Sequence, residues 1–247
     1  MCFHIKKYLS FLICSTLFLT CGCSQNSNKS KENSSSAPTE SDKIIRIACV
    51  GDSLTEGIGA TGWQNDDYTY SYPQQLNNIL GSEYKVGNFG KGSSYVYYYE
   101  GRTESLWYPN TVQYSLSNQF DADIVIILLG TNDARVMNNL ADSNAFKTEF
   151  AKIVEHYLDH ESKPRVYIAS SITMAAYDKH KEELLKKYIL PMQQEVAWEL
   201  GCEYIDLYNG LYEYFISGEG LASDNLHPNN DGYLKIAQYI AQSLDLK

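Results

Sequence analysis

Basic side chains are in deficit in this 247-residue sequence, with 20 Lys and Arg against 30 Asp and Glu and a formal net charge of −10. Two of the 20, Lys6 and Lys7, fall within the first 23 residues, which contain no acidic residue, so 18 basic residues face all 30 acidic ones from Ser24 onward. Such a balance excludes an electrostatic footprint for nucleic acid or for an anionic membrane surface. Cysteine is scarce where a core would form: Cys2, Cys14, Cys21 and Cys23 are near the start, leaving Cys49 and Cys202. Two isolated cysteines make neither a disulfide framework nor a zinc spacing, and no metal or cofactor is implied. Cys49 lies in an apolar strand pattern and Cys202 just before another, so both read as small buried hydrophobes rather than as a bridge. No internal repeat and no membrane-length apolar run are found; the stretch from Tyr8 to about Leu19 is too short to span a bilayer comfortably.

That stretch follows Lys6 and Lys7 as the apolar region of a secretory signal does. It leads into Leu19-Thr20-Cys21-Gly22-Cys23 and then a Ser-, Asn- and Lys-rich run, an arrangement that resembles the lipobox and tether of a bacterial lipoprotein. Cys23 has the small residue expected before it, although Thr20 stands where an aliphatic residue is usual. The expectation is a leader over 1–23 with Cys23 as the lipidated residue, plain secretion being the alternative. Residues 24–42 contain almost nothing apolar and read as a flexible tether, followed by one domain over 43–247. The protein is thus expected outside the cell, touching a membrane only through a lipid.

The remainder is 205 residues of alternating patterns. Short β-rich runs at Ile44–Val50, Tyr84–Asn88, Ile124–Leu129, Arg165–Ser170 and Glu203–Leu207 read as strands. Helical patterns fall near Tyr72–Leu80, Asn144–His160, Lys179–Leu200 and Asp231–Leu244. Ile124–Leu129 is continuously apolar, as a central strand covered on both faces would be. Alternation of this kind predicts a three-layer α/β sandwich: a central parallel sheet of about five strands, right-handed crossovers, and helices on both faces. In such sheets ligands bind beyond the carboxyl ends of the strands, so the segment after each strand is where chemistry is expected.

After the first strand comes Gly51-Asp52-Ser53-Leu54-Thr55-Glu56-Gly57, presenting a hydroxyl at a turn between glycines. Asp52 reads as a turn or capping residue. After the second comes Asn88-Phe89-Gly90-Lys91-Gly92-Ser93-Ser94, a loop able to turn backbone N–H groups toward an anion. After the third comes Gly130-Thr131-Asn132-Asp133, and just before the last helix Asp224-Asn225-Leu226-His227-Pro228. There a carboxylate stands three residues before an imidazole, within reach of it across one tight loop.

Taken in order, these four segments resemble the SGNH, or GDSL, hydrolase family, from about Ile44 to the end of the chain. The resemblance implies a flavodoxin-like fold, with Ser53 as nucleophile, His227 as general base and Asp224 as its orienting acid. It also implies an oxyanion hole made of the Ser53 N–H, a second-loop N–H from Gly92 or Ser93, and the Asn132 amide. Members commonly carry Gly five residues after the loop Asn; Ser93 holds that position here, in a conformation that Gly accepts more easily. The chemistry is acyl transfer: a Ser hydroxyl needs a base to take its proton, and His titrates in the right range.

Tyr84–Gly90 and Asp123–Asp133 further resemble bacterial carbohydrate O-acetylesterases of this family, which implies a small-molecule or polysaccharide acetyl ester as substrate. The aromatic residues Tyr95, Tyr97, Trp107 and Tyr108 follow the second loop and are candidates for stacking on sugar, with a packed covering layer as the other reading. Lysophospholipase or thioesterase activity is the alternative within the family. From a different class, a non-catalytic glycan-binding surface lipoprotein remains open. A Glu56 and Asp133 pair for glycoside hydrolysis has no support from spacing.

Overall fold

The computed structural model describes residues 43–137 and 140–246. The expected leader, its Cys23 and the tether over 24–42 lie outside the described residues. Five strands, β1 (Ile45–Gly51), β2 (Tyr84–Gly90), β3 (Ile124–Leu128), β4 (Arg165–Ala169) and β5 (Glu203–Ile205), form one sheet. Its order is β2-β1-β3-β4-β5, and every pairing is parallel. The helices are α1 (Ser53–Glu56), α2 (Tyr72–Leu80), α3 (Val112–Asn118), α4 (Thr131–Val136) and α5 (Leu140–Leu158). They continue with α6 (Lys179–Leu184), α7 (Leu190–Leu200), α8 (Leu207–Gly210), α9 (Tyr212–Ile216) and α10 (Asn230–Ser243).

The period-two alternation of the strands divides the core. Ala48, Val50, Val125, Ile127, Val166 and Ile168 face α5 and α7, meeting Phe146, Phe150 and Val196. Ile47, Cys49, Ile126, Leu128 and Tyr167 face α2 and α10, meeting Leu76, Ile236 and Ile240. All five residues of β3 are buried, because helices cover both of its faces. Cys49 and Cys202 pack in clusters on opposite faces of the sheet, and both are free thiols. Among the described residues, no helix is long and apolar enough to cross a membrane.

The helical pattern over 179–200 is one continuous rod with a π turn at Leu185–Ile189 between α6 and α7. The wide turn has a local cause: Pro191 has no N–H to give, and its ring would strike the carbonyl four residues back, that of Lys187. Strand register positions the site. Gly51 pairs with Gly90 on one side and Leu128 on the other, so β1, β2 and β3 end level and their following loops emerge side by side. Order 2-1-3 puts the sheet's reversal point between β1 and β3, where an open α/β sheet holds its ligand. The last loop is drawn to the same edge by α10. A Cβ on Gly232 would lie 2.1 Å from the Gly220 carbonyl oxygen, so only Gly lets this helix dock against that loop.

Candidate active site

Ser53 is the first residue of α1, and Asp52 caps that short helix by accepting the Leu54 N–H at 3.0 Å. The Ser53 hydroxyl stands 3.0 Å from Nε2 of His227, and Nδ1 of His227 stands 2.6 Å from Oδ2 of Asp224. Oδ1 of the same carboxylate accepts the backbone N–H groups of Leu226 and His227, both at 3.0 Å. Asn225 takes the left-handed conformation, at φ 59°, that this tight loop requires. Burial pushes the Asp224 carboxyl upward, but the His227 ring and the His227 and Leu226 N–H groups together outweigh it and hold the acid below its ordinary range. Tyr233 of α10, which is fully buried, donates to the Ile58 carbonyl at 2.7 Å and to the Ser53 carbonyl at 3.3 Å. It therefore clamps α1 against the helix that follows the His227 loop.

The second loop folds over the same point. Gly90 packs its Cα face on α1, where a Cβ would come within 2.1 Å of the Glu56 nitrogen. Lys91 donates its N–H to the Gly51 carbonyl at 2.9 Å. The Gly92 N–H is directed at Oε2 of Glu56, 2.5 Å away. Of the two expected second-loop donors, Gly92 is thus occupied within the protein. Ser93 is the other; it is exposed, sits at φ 64°, and has no acceptor for its N–H among the described residues. Its backbone takes the Gly-favoured conformation that the sequence anticipates.

Asn132 lies at the start of α4, 7% exposed. Its Nδ2 donates to the Ser94 carbonyl at 2.9 Å, and its Oδ1 accepts from Nη1 of Arg135 at 3.2 Å. The two partners settle which way the amide faces, since the flipped group would set NH2 against a guanidinium and oxygen against a carbonyl. One Nδ2 hydrogen is left for a ligand.

The two carboxylates weighed for glycoside hydrolysis both hold backbone of the second loop. Glu56 takes Gly92, and fully buried Asp133 accepts the N–H groups of Val96 and Tyr97 at 3.1 Å. Burial pushes Asp133 up to about 7 against the pull of those donors.

The aromatic segment separates into roles. Tyr108 is buried in the core with its hydroxyl on the Phe89 carbonyl at 2.7 Å, so it is packing and not a sugar platform. Tyr95 is 3% exposed, its hydroxyl donating to the Thr103 carbonyl at 2.6 Å. Trp107 donates its indole N–H to the Val96 carbonyl at 2.7 Å. With Tyr97 and exposed Tyr98, Trp107 lines a cavity of about 630 Å³ that includes neither Ser93 nor Asn132. A different cavity, of about 480 Å³, opens on Ser93, Tyr95 and Asn132 and is walled by Arg135 and Tyr177. Arg135 stacks over the Tyr177 ring at 5.4 Å and bonds its hydroxyl at 3.2 Å. Sequence reasoning misses both residues. Arg135 carries a signal, three residues after Asn132 on one helix and hence on its face; Tyr177 carries none.

A family model for the GDSL-like lipase/acylhydrolase family matches residues 49–235. An acetylxylan esterase from Xylanibacter ruminicola is 28% identical over 227 residues, covering 85% of this chain and 45% of that protein. The chain thus spans less than half the length of that relative. Among solved structures, a carbohydrate acetylesterase family member from Sinorhizobium meliloti superposes with a TM-score of 0.61 at 20% identity, over 81% of this chain and 96% of the other. A lipase/acylhydrolase from Enterococcus faecalis gives 0.59 at 20% identity, over 81% and 94%. At these identities both likenesses speak to the fold.

Proposed function

Since the chain belongs to the GDSL-like lipase/acylhydrolase family, we propose that it is an ester hydrolase of acetylesterase type, that Ser53 is its nucleophile and that it removes O-acetyl groups from extracellular carbohydrate. The observation carrying the first part is the unbroken hydrogen-bonded line from Ser53 Oγ through His227 to Asp224. Nε2 of His227 takes the hydroxyl proton as Ser53 Oγ attacks the acetyl carbon. Asp224 holds the proton on Nδ1 and stabilises the imidazolium that forms. The negative charge on the former carbonyl oxygen is met by the N–H groups of Ser53 and Ser93 and by Asn132 Nδ2, each worth roughly 3 to 4 kcal/mol by analogy with measured oxyanion donors. The acetyl–oxygen bond breaks and the sugar hydroxyl leaves with the proton from His227. Water, deprotonated by the same imidazole, then releases acetate and restores Ser53.

The carbohydrate half of the proposal is supported by the likeness to an acetylxylan esterase and by the polar walls of the cavity beside Asn132. Export is supported by the signal-like and lipobox-like sequence over 1–23. In acetate release from acetylated xylan, Ser53→Ala is expected to lose activity by at least about a thousandfold. Undiminished release would sink the nucleophile assignment. In a chain-length series of nitrophenyl esters, preference for octanoate over acetate would move the reading to lipid or thioester hydrolysis.

A further inference from the structure

In a chain with net charge −10, the cavity that opens on Ser93 and Asn132 is walled by three cationic side chains, Arg102, Arg135 and Lys181, and one carboxylate, Asp178. No Asp or Glu lies within ion-pair distance of any of the three among the described residues. Asp178 contributes one negative charge while its Oδ1 caps α6, accepting the N–H groups of His180 at 2.9 Å and Lys181 at 3.2 Å, so the walls carry a net charge of +2. Arg135 lies against Tyr177, with Cζ 5.4 Å from the ring centroid, and spends one donor each on Asn132 and the Tyr177 hydroxyl, which leaves further guanidinium hydrogens in the cavity wall. A neutral sugar needs hydroxyl partners and gains little from a net positive wall. An anionic substituent gains charge-assisted hydrogen bonds, and a planar guanidinium matches a carboxylate in particular.

We propose that this cavity selects acetyl esters of acidic glycans, binding the carboxylate of a uronic acid next to the acetylated sugar while the acetyl group reaches Ser53. The inference rests on the carbohydrate esterase reading and names its substrate class. The carboxylate sits among Arg102, Lys181 and the free edge of Arg135, and the sugar lies along exposed Tyr177.

The test uses acetylated glucuronoxylan oligosaccharides and the same oligosaccharides after reduction of their carboxyl groups to alcohols, assayed for acetate release with the whole protein. The acidic form is expected to be favoured in kcat/KM by about tenfold at low salt, the worth of one charge-assisted hydrogen bond. The preference is expected to shrink as salt is raised to about 0.5 M, because the shortening Debye length weakens the pull of exposed Arg102 on the carboxylate. In Arg102→Gln/Lys181→Gln the ratio between the two substrates is expected to fall toward one. This ratio is internal to each preparation, so loss of folded enzyme lowers both rates together and leaves it unaltered. Equal rates on the two forms by the wild type, or a preference that survives both salt and the double substitution, overturns the inference while leaving carbohydrate deacetylation standing. Acetate released from neither form, with nitrophenyl acetate still cleaved, overturns the carbohydrate reading and this inference with it.

Discussion

Ser93 stands at φ 64°, where a side chain costs about 1 kcal/mol or more that Gly would not. Ser93→Gly removes that cost but gives the unfolded chain extra freedom, so it is expected to be as stable as the wild type or up to about 1 kcal/mol more stable. Its N–H remains, and esterase activity should persist. Ser93→Val should lose about 1 to 2 kcal/mol in urea unfolding together with activity, since a β-branched residue resists this backbone more. A Gly variant without activity would mean that the hydroxyl, and not the N–H, is what the site uses. Asp52 offers a test of another kind. It is fully buried, Oδ2 lacks a partner among the described residues, and burial raises its carboxyl from 3.8 to about 7 against the Leu54 N–H. Between about pH 4 and pH 7 the folded chain therefore holds a proton that the unfolded chain has released. Stability contributed this way falls as pH rises through that window, by up to about 1.4 kcal/mol per pH unit for one whole proton. Asp133, raised for the same reason, adds a slope of the same sign. Asp52→Asn is expected to flatten the dependence of the urea midpoint on pH between 4 and 7; an unchanged slope would show that Asp52 is ionised in the fold throughout.

At the scale of elements, Glu182 of α6 is a tie that no sequence pattern announces. Only 7% exposed, it accepts from the Thr173 hydroxyl at 2.9 Å, the Met174 N–H at 2.7 Å and the Tyr208 hydroxyl, joining the segment after β4 to α6 and α8. Glu182→Ala strands those donors and is expected to cost about 2 to 4 kcal/mol in urea unfolding. A loss below about 0.5 kcal/mol would mean that water replaces the carboxylate. Strand β3 and the long helices are legible from sequence because burial on both faces leaves a continuous apolar run, and burial on one face leaves a 3.6-residue period; the edge strands β2 and β5 show through their β-rich residues instead. Residues 72–80 match the expected helix end to end, whereas α5 begins four residues earlier than its apolar pattern. Helix α3 is not legible: it has seven residues, and its apolar Val112 and Leu116 are exposed, so the periodicity points the wrong way. The strand-end segments stand out because each joins a turn-forming Gly to one reactive or polar side chain. The aromatic run does not resolve, because Tyr suits core and surface alike: Tyr108 is wholly buried while Tyr98, ten residues earlier, is 42% exposed. Nor can spacing foretell that Glu56 would claim the Gly92 N–H, a contact across 36 residues.

For the molecule as a whole, the lipobox-like segment bears on where the enzyme works. Cys23→Ala is expected to move activity from the membrane fraction of the producing cells to the medium and to abolish incorporation of labelled fatty acid. Label retained in that variant would point to Cys21 or to another residue. The thiols of the folded part take no part in this, since burial pushes Cys49 up to about 12 and Cys202 up to about 11, leaving both poorly reactive. Ser53 sits immediately after the first strand, and the imidazole it meets is 174 residues further on, held by the loop that the last helix seats. Hydrolysis by this pair therefore requires that both ends of the folded domain be in place. A nascent or half-folded chain carries a hydroxyl with no imidazole beside it, so by this assignment esters are spared until the fold has closed. The appearance of acetate during refolding is accordingly expected to report the docking of α10, and to come no earlier than it.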